Sequence, residues 1–140
     1  MKLIYLADDD EDDTFLLKEA IKSCCGEVNF VCAINGAELL QNLKNKIPPP
    51  PDFLFLDLNM PLRTGHECLK EIKGNPFHKD LRVVIFTTSR MQSDIDKTYQ
   101  AGADYYICKP ANMKGYQDAL NKLFNFKFKN RPSKEQFVLN

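Results

Sequence analysis

Five short apolar runs alternate along this 140-residue chain with stretches whose apolar residues recur at helical spacing, and the alternation predicts an α/β domain with a doubly wound, five-stranded parallel sheet. Parallel strands need crossover connections, and the helical stretches between the runs supply them, in the right-handed sense such crossovers take. The chain is the size of one ordinary domain, large enough to bury roughly two-thirds of the surface its unfolded form exposes, and no internal repeat or second domain is expected.

Leu3 to Ala7 forms the first apolar run and meets the acidic stretch Asp8 to Asp13. Phe15, Leu16, Leu17, Ala20 and Ile21 then recur at the spacing of one helix face. Val28 to Ala33 predicts a second strand, and Gly36 to about Lys46 a helix with Ala37, Leu39, Leu40 and Leu43 inward. The prolines from Pro48 to Pro51 exclude helix and central strand and favour an extended spacer. Phe53-Leu54-Phe55-Leu56 reads as the central strand, ending in Asp57, followed by a turn from Pro61 to Gly65 and a helix with Cys68, Leu69 and Ile72 inward up to Gly74. Arg82 to Thr87 is the fourth strand, Ser93 to about Ala101 a helix, and Tyr105 to Cys108 the fifth strand. The last helix starts near Met113 with Tyr116, Leu120, Leu123 and Phe124 inward. The domain is expected to span residues 1–128, and residues 129–140 read as a polar C-terminal tail.

Composition narrows the function. Nineteen basic residues balance nineteen acidic ones, so no clustered positive charge invites a nucleic acid. The opening apolar run is too short for a signal-peptide core and no later run approaches membrane-spanning length, which points to the cytoplasm without membrane attachment. Five cysteines without Cys-x-x-Cys spacing suit reduced thiols: Cys24-Cys25 near a helix end, and Cys32, Cys68 and Cys108 as small core residues. His66, opening a helix, and His78, in a polar turn, read as ordinary surface histidines.

The chemistry lies where the strands end. Ligands of open parallel sheets gather at the carboxyl ends of the strands. Asp57 alone could equally cap a turn, but parallel strands would bring Asp8, Asp9, Asp57, Thr87 and Lys109 to one rim. Crowded carboxylates repel, raise one another's pKa values and call for a cation. Magnesium suits such a set, because it takes oxygen ligands and is typically held by one or two carboxylates plus a phosphate. A carboxylate beside a metal and an ammonium is a nucleophile of the kind used in aspartyl-phosphate chemistry, with the Thr87 hydroxyl and the Lys109 ammonium serving the incoming phosphoryl group.

From about Leu3 to Phe126 the chain resembles the receiver domain of two-component response regulators. The resemblance rests on Asp8-Asp9 after the first strand, Asp57-Leu58-Asn59-Met60-Pro61 with Gly65, Thr87 after the fourth strand, Ala101-Gly102-Ala103 before the fifth, and Lys109-Pro110 after it. It implies a flavodoxin-like fold with strand order 2-1-3-4-5, and transfer of a phosphoryl group from a sensor histidine kinase or histidine phosphotransfer protein to Asp57. It further implies that Asp9 ligates magnesium together with Asp57, that Asp8 assists through water, and that the Asn59 backbone carbonyl completes the site. A cis Lys109-Pro110 bond would place the lysine, at a cost of roughly 0.5–1 kcal/mol. Tyr106 falls on the family's switch position, where an aromatic ring turns inward as the threonine moves; by itself it reads as an amphipathic surface aromatic with its hydroxyl in water. Thr88, where the family often has Ala or Gly, implies slower phosphoryl exchange, and Asn59 and Ser89 hold positions that tune phosphate lifetime.

The expected protein is a stand-alone receiver: a switch that catalyses only its own phosphorylation and dephosphorylation and meets a downstream target protein through the Ser93 helix, the fifth strand and the last helix, with a homodimer on that face as an option. Three other readings compete. Asp8-x-Asp10-x-Asp12 imitates a calcium loop, but Asp13 stands where the loop needs Gly, and the excess acids suit the helix N-terminus instead. A haloacid-dehalogenase-like phosphatase shares the aspartyl nucleophile but orders its motifs differently and needs a cap domain. A receiver-like module that works only as a binding surface would not need every reactive position filled, as it is here.

Overall fold

The computed structural model describes residues 2–45, 51–125 and 131–140. Five strands and six helices follow in the order β1 (Lys2–Ala7), α1 (Glu11–Cys25), β2 (Val28–Ala33), α2 (Gly36–Asn45), β3 (Phe53–Leu56), α3 (Gly65–Lys73), β4 (Arg82–Thr87), α4 (Gln92–Gln100), β5 (Tyr105–Cys108), α5 (Met113–Asn125) and α6 (Lys134–Phe137), with a 3₁₀ turn over Pro76–His78 before β4. All neighbouring strands are parallel and the sheet order is β2-β1-β3-β4-β5. The expected strands agree with those observed to within a residue or so. The Pro48–Pro50 spacer, Lys46 and the domain limit at residue 128 lie outside the described residues.

Strand geometry sorts the core into two layers, because successive side chains point to opposite faces. Ile4, Leu6, Phe53, Phe55, Val84, Phe86, Tyr105 and Ile107 pack with α1 and α5, whereas Tyr5, Ala7, Leu54, Leu56, Val83, Ile85, Tyr106 and Cys108 pack with α2 and α3. Within the helices the expected inward faces hold with two exceptions. Leu17, Ala20 and Ile21 of α1 are buried but Phe15 and Leu16 are exposed, and in α2 Ala37 is exposed while Leu39 and Leu43 are buried. At about 100° per residue, Phe15 and Leu16 point away from the face that carries Leu17, Ala20 and Ile21. Phe124 and Cys32 are half-buried.

Two sequence expectations fail for a shared reason, which is that local polarity does not report what folds over a residue. His78 is buried, 8% exposed, with its ring edge-on to Phe77 at 5.3 Å between centroids, and burial pushes its pKa down. Residues 131–140, expected as a polar tail, fold back along the outer edge of β5. Val138 forms a parallel bridge with Tyr106, the Leu139 N–H donates to the Tyr106 carbonyl at 3.0 Å, and the Asn140 side-chain amide bonds both the N–H and the carbonyl of Cys108, at 3.0 and 2.8 Å. Phe137 is fully buried against Tyr99 and Tyr106, with ring centroids 5.1 and 5.9 Å apart. The Arg131 guanidinium stacks 4.0 Å over the Tyr99 ring and donates to the carbonyls of Tyr99 and Ala103. Unpaired edges of sheets invite association, and at β5 the chain covers its own.

Candidate functional site

Register brings the polar residues together. Ala7 pairs with Leu56, so β1 and β3 end level, while β4 runs two residues beyond Ile85, the partner of Leu56, to Thr87, which stands opposite Cys108. The ladder then runs one step past the strands: the Asp8 N–H donates to Ala33, the Asp57 N–H to Ala7 and the Lys109 N–H to Thr87, at 3.0, 2.9 and 2.8 Å. Backbone bonding therefore fixes the first residue beyond β1, β3 and β5, and these are the two acids and the lysine expected at the rim.

Helix starts close the site from both sides. Asp10 caps α1, its carboxylate accepting from the N–H groups of Asp12 and Asp13, while the Asp8 carboxylate accepts from the Asp10 N–H at 3.0 Å. On the other side Thr64 and Glu67 form a capping box at the start of α3, and the Gly65 N–H donates to the Leu58 carbonyl at 2.9 Å. A Cβ at Gly65 would collide with the Asp57 carbonyl oxygen and the Leu58 Cα. Only glycine lets α3 begin this close to the reactive strand end.

At the centre lies one ammonium among three carboxylates. The Lys109 Nζ is 2.8 Å from Asp8, 2.8 Å from Asp13 and 3.2 Å from Asp57, and the lysine side chain is only 7% exposed. Burial alone would lower the lysine pKa, but hydrogen bonds to Asp13 and Asp8 and the charges of Asp57 and Asp8 outweigh it, so the net shift is upward. Asp8 is pushed up to about 6, chiefly by burial, with Lys109 and the Asp10 N–H opposing. Carboxylate oxygens of Asp8, Asp9 and Asp57 lie within 4.8 Å of one another, the only group of this kind among the described residues. A buried acid whose charged form is disfavoured, beside two more oxygen donors, fits a hard divalent cation. Asn59 is exposed, its N–H pointing back at the Asp57 carboxylate at 3.4 Å.

Thr87 is fully buried and its hydroxyl has no hydrogen-bond partner among the described residues. Buried polar groups are rarely left so, and an orphan hydroxyl at the end of the strand next to β3 is a donor that an incoming oxygen could satisfy. Tyr106 is also fully buried, not the surface aromatic it resembles when read alone: its hydroxyl donates to the Ser89 carbonyl at 2.9 Å, and burial raises its pKa to about 12. The Ser89 hydroxyl in turn donates to Asp94 at 2.6 Å, and the other Asp94 oxygen is 2.9 Å from His66 Nε2. The Ser89 hydrogen bond, followed by that of His66, holds the Asp94 pKa down.

Of the expected rim residues, Asp8, Asp9, Asp57 and Lys109 are brought together, and Thr87 ends β4, the strand beside the one that leads into Asp57. Sequence reasoning missed Asp13, for which the available signal was only a long acidic run, and it missed the His66–Asp94–Ser89 chain, in which His66 lies 28 positions from Asp94.

The family profile described as response regulator receiver domain matches residues 4–121. Similar proteins include response regulator Rcp1 of Synechocystis sp., 33% identical over 81% of this chain and 80% of that protein, and chemotaxis protein CheY of Halobacterium salinarum, 32% identical over 86% and 94%. Among solved structures, the Mn(2+)-bound form of Rcp1 matches with a TM-score of 0.80 at 28% identity, covering 95% of this chain and 100% of that one. The phosphorylated cyanobacterial phytochrome response regulator RcpA matches with a TM-score of 0.81 at 30% identity, covering 94% and 99%.

Proposed function

The chain belongs to the response regulator receiver domain family, and from that premise we propose that Asp57 is its phosphoacceptor. The observation that supports this most is the company Asp57 keeps: a buried carboxylate 3.2 Å from the Lys109 ammonium, with the unpartnered Thr87 hydroxyl on the neighbouring strand. An Asp57 oxygen attacks the phosphorus of a phosphohistidine or a small acyl phosphate, the bond from phosphorus to the donor breaks, and the donor departs with its electron pair. Lys109 offsets charge on the transferred oxygens and Thr87 donates a hydrogen bond to one of them, each stabilising charge where it develops.

Asp8, Asp9, Asp57 and the Asn59 carbonyl are the proposed ligands of a divalent cation, magnesium in the cell. When bound, a divalent cation would offset the negative charge that gathers at the site during transfer. Tyr106 acts as the switch, bonded through its hydroxyl to the segment after β4 that carries Ser89. The donor is a sensor histidine kinase or histidine phosphotransfer protein, the compartment is the cytoplasm, and the output is binding to a target protein rather than turnover of a substrate. No described helix is long and apolar enough to cross a membrane. A partner or second copy that docks on α4, β5 and α5 meets α6 and its flanks there as well, since these lie along β5.

Intact-mass measurement after incubation with magnesium and acetyl phosphate tests the reading. The wild type is expected to gain one phosphoryl group that hydroxylamine removes and chelation prevents, and Asp57→Asn to gain none. Steady release of phosphate from a phosphomonoester, or phosphorylation that survives Asp57→Asn, would overturn it.

A further inference from the structure

The metal group and the lysine cage share Asp8 and Asp57 but not Asp13. Asp13 bonds Lys109 at 2.8 Å and stands outside the set whose oxygens converge for a cation. With Asp8 and Asp57 engaged in holding a cation, Asp13 would be the one carboxylate still committed to the ammonium. We propose that Asp13 is a positioning residue for Lys109, a tether that keeps the ammonium aimed at Asp57 while the other two acids serve the metal. The inference rests on the phosphoacceptor reading above.

Lysine chemistry makes the tether useful. The side chain is a flexible four-carbon stem ending in three donors. One donor spent on a fixed carboxylate limits the directions open to the other two, so the loss of freedom on meeting a phosphoryl oxygen is taken in advance. Asp13 is suited to this because its backbone is itself fixed: it lies in the first turn of α1, its N–H bonded to the Asp10 cap at 3.1 Å, and its side chain stays 25% exposed with one face on the lysine. Asp12 is adjacent, carries the same charge, and is exposed, with no bond to Lys109 among those observed. The pair separates contact from charge.

The test is equilibrium binding of beryllofluoride, a phosphoryl mimic, to the whole chain in saturating magnesium, with magnesium affinity measured separately. Asp13→Asn is expected to weaken beryllofluoride about tenfold, the loss of one charge-assisted hydrogen bond, with magnesium affinity changed no more than in Asp12→Asn. Asp13→Glu should recover most of the affinity, and the lysine NH3+ resonance of Lys109, protected from exchange in the wild type, should broaden in Asp13→Asn. Asp13→Ser serves if the Asn variant folds poorly. Equal beryllofluoride binding by Asp13→Asn and wild type overturns the tether. So does tighter binding, the result if Asp13 is only a negative charge opposing an anion. A wild type that binds no beryllofluoride would instead sink the phosphoacceptor reading.

Discussion

The rim at the strand ends and the outer edge of β5 are finished in opposite ways. At the rim three carboxylates crowd one ammonium and a buried hydroxyl is left without a partner among the described residues. Along β5 each exposed backbone group from Tyr106 to Cys108 that the C-terminal segment reaches is paired, and aromatic rings close over it. The first region holds unmet interactions that a ligand can satisfy; the second is already satisfied by the chain itself. Stability and reactivity are thus carried by neighbouring parts of one sheet, and substitutions should separate them.

The largest expected effect is at the edge. Phe137→Ala removes a fully buried ring and should cost about 3–5 kcal/mol of unfolding free energy in denaturant titration, while magnesium affinity stays within a factor of a few. A matching loss of metal binding would show that the two regions are not separable. At the rim the sign reverses. With its pKa raised to about 6, folded Asp8 holds a proton that the unfolded chain releases near its ordinary value. Its contribution to stability is therefore complete at low pH and is lost as pH climbs through about 6. Asp8→Asn should stabilise the metal-free protein by roughly 2–3 kcal/mol at pH 7 and by almost nothing at pH 4; destabilisation at pH 7 would contradict the strained rim. The smallest effect falls on the residue both regions share. Tyr106→Phe keeps the ring against Phe137 and loses the bond to Ser89, so about 1 kcal/mol of stability should go, with a weaker coupling between beryllofluoride and hydrogen exchange in α4 as the more telling readout.

The two regions also differ in how far they could be read in the sequence. Each rim residue ends an apolar run, so a strand prediction carried Asp8, Asp57, Thr87 and Lys109 to their places, and the parallel register did the rest. Nothing local marks the edge: Arg131 to Lys134 is polar, Phe137, Val138 and Leu139 are too few to look like an element, and their partners lie over thirty positions earlier in Tyr106 and Cys108. His78 was misread because it stands beside Lys79 and Asp80 in a turn, and the sequence does not show that the ring packs inward there. Tyr106 was legible only as one of two alternatives, because its burial depends on Phe137. Asp13 was hidden among acids of identical type, and only the position of Lys109 distinguishes it from Asp12.

Gly65 has a mechanical consequence. Because the α3 N-terminus sits directly on the carbonyls of Asp57 and Leu58, the bank of the site formed by β3 and α3 is stiff, clamped main chain to main chain. The opposite bank, from Thr87 to α4, is moored by side chains: the hydroxyls of Ser89 and Tyr106, the carboxylate of Asp94, the imidazole of His66. If Asp57 is the phosphoacceptor, a displacement that starts there is expected to lead away from the glycine, through serine, toward the aromatic pair beneath the C-terminal segment.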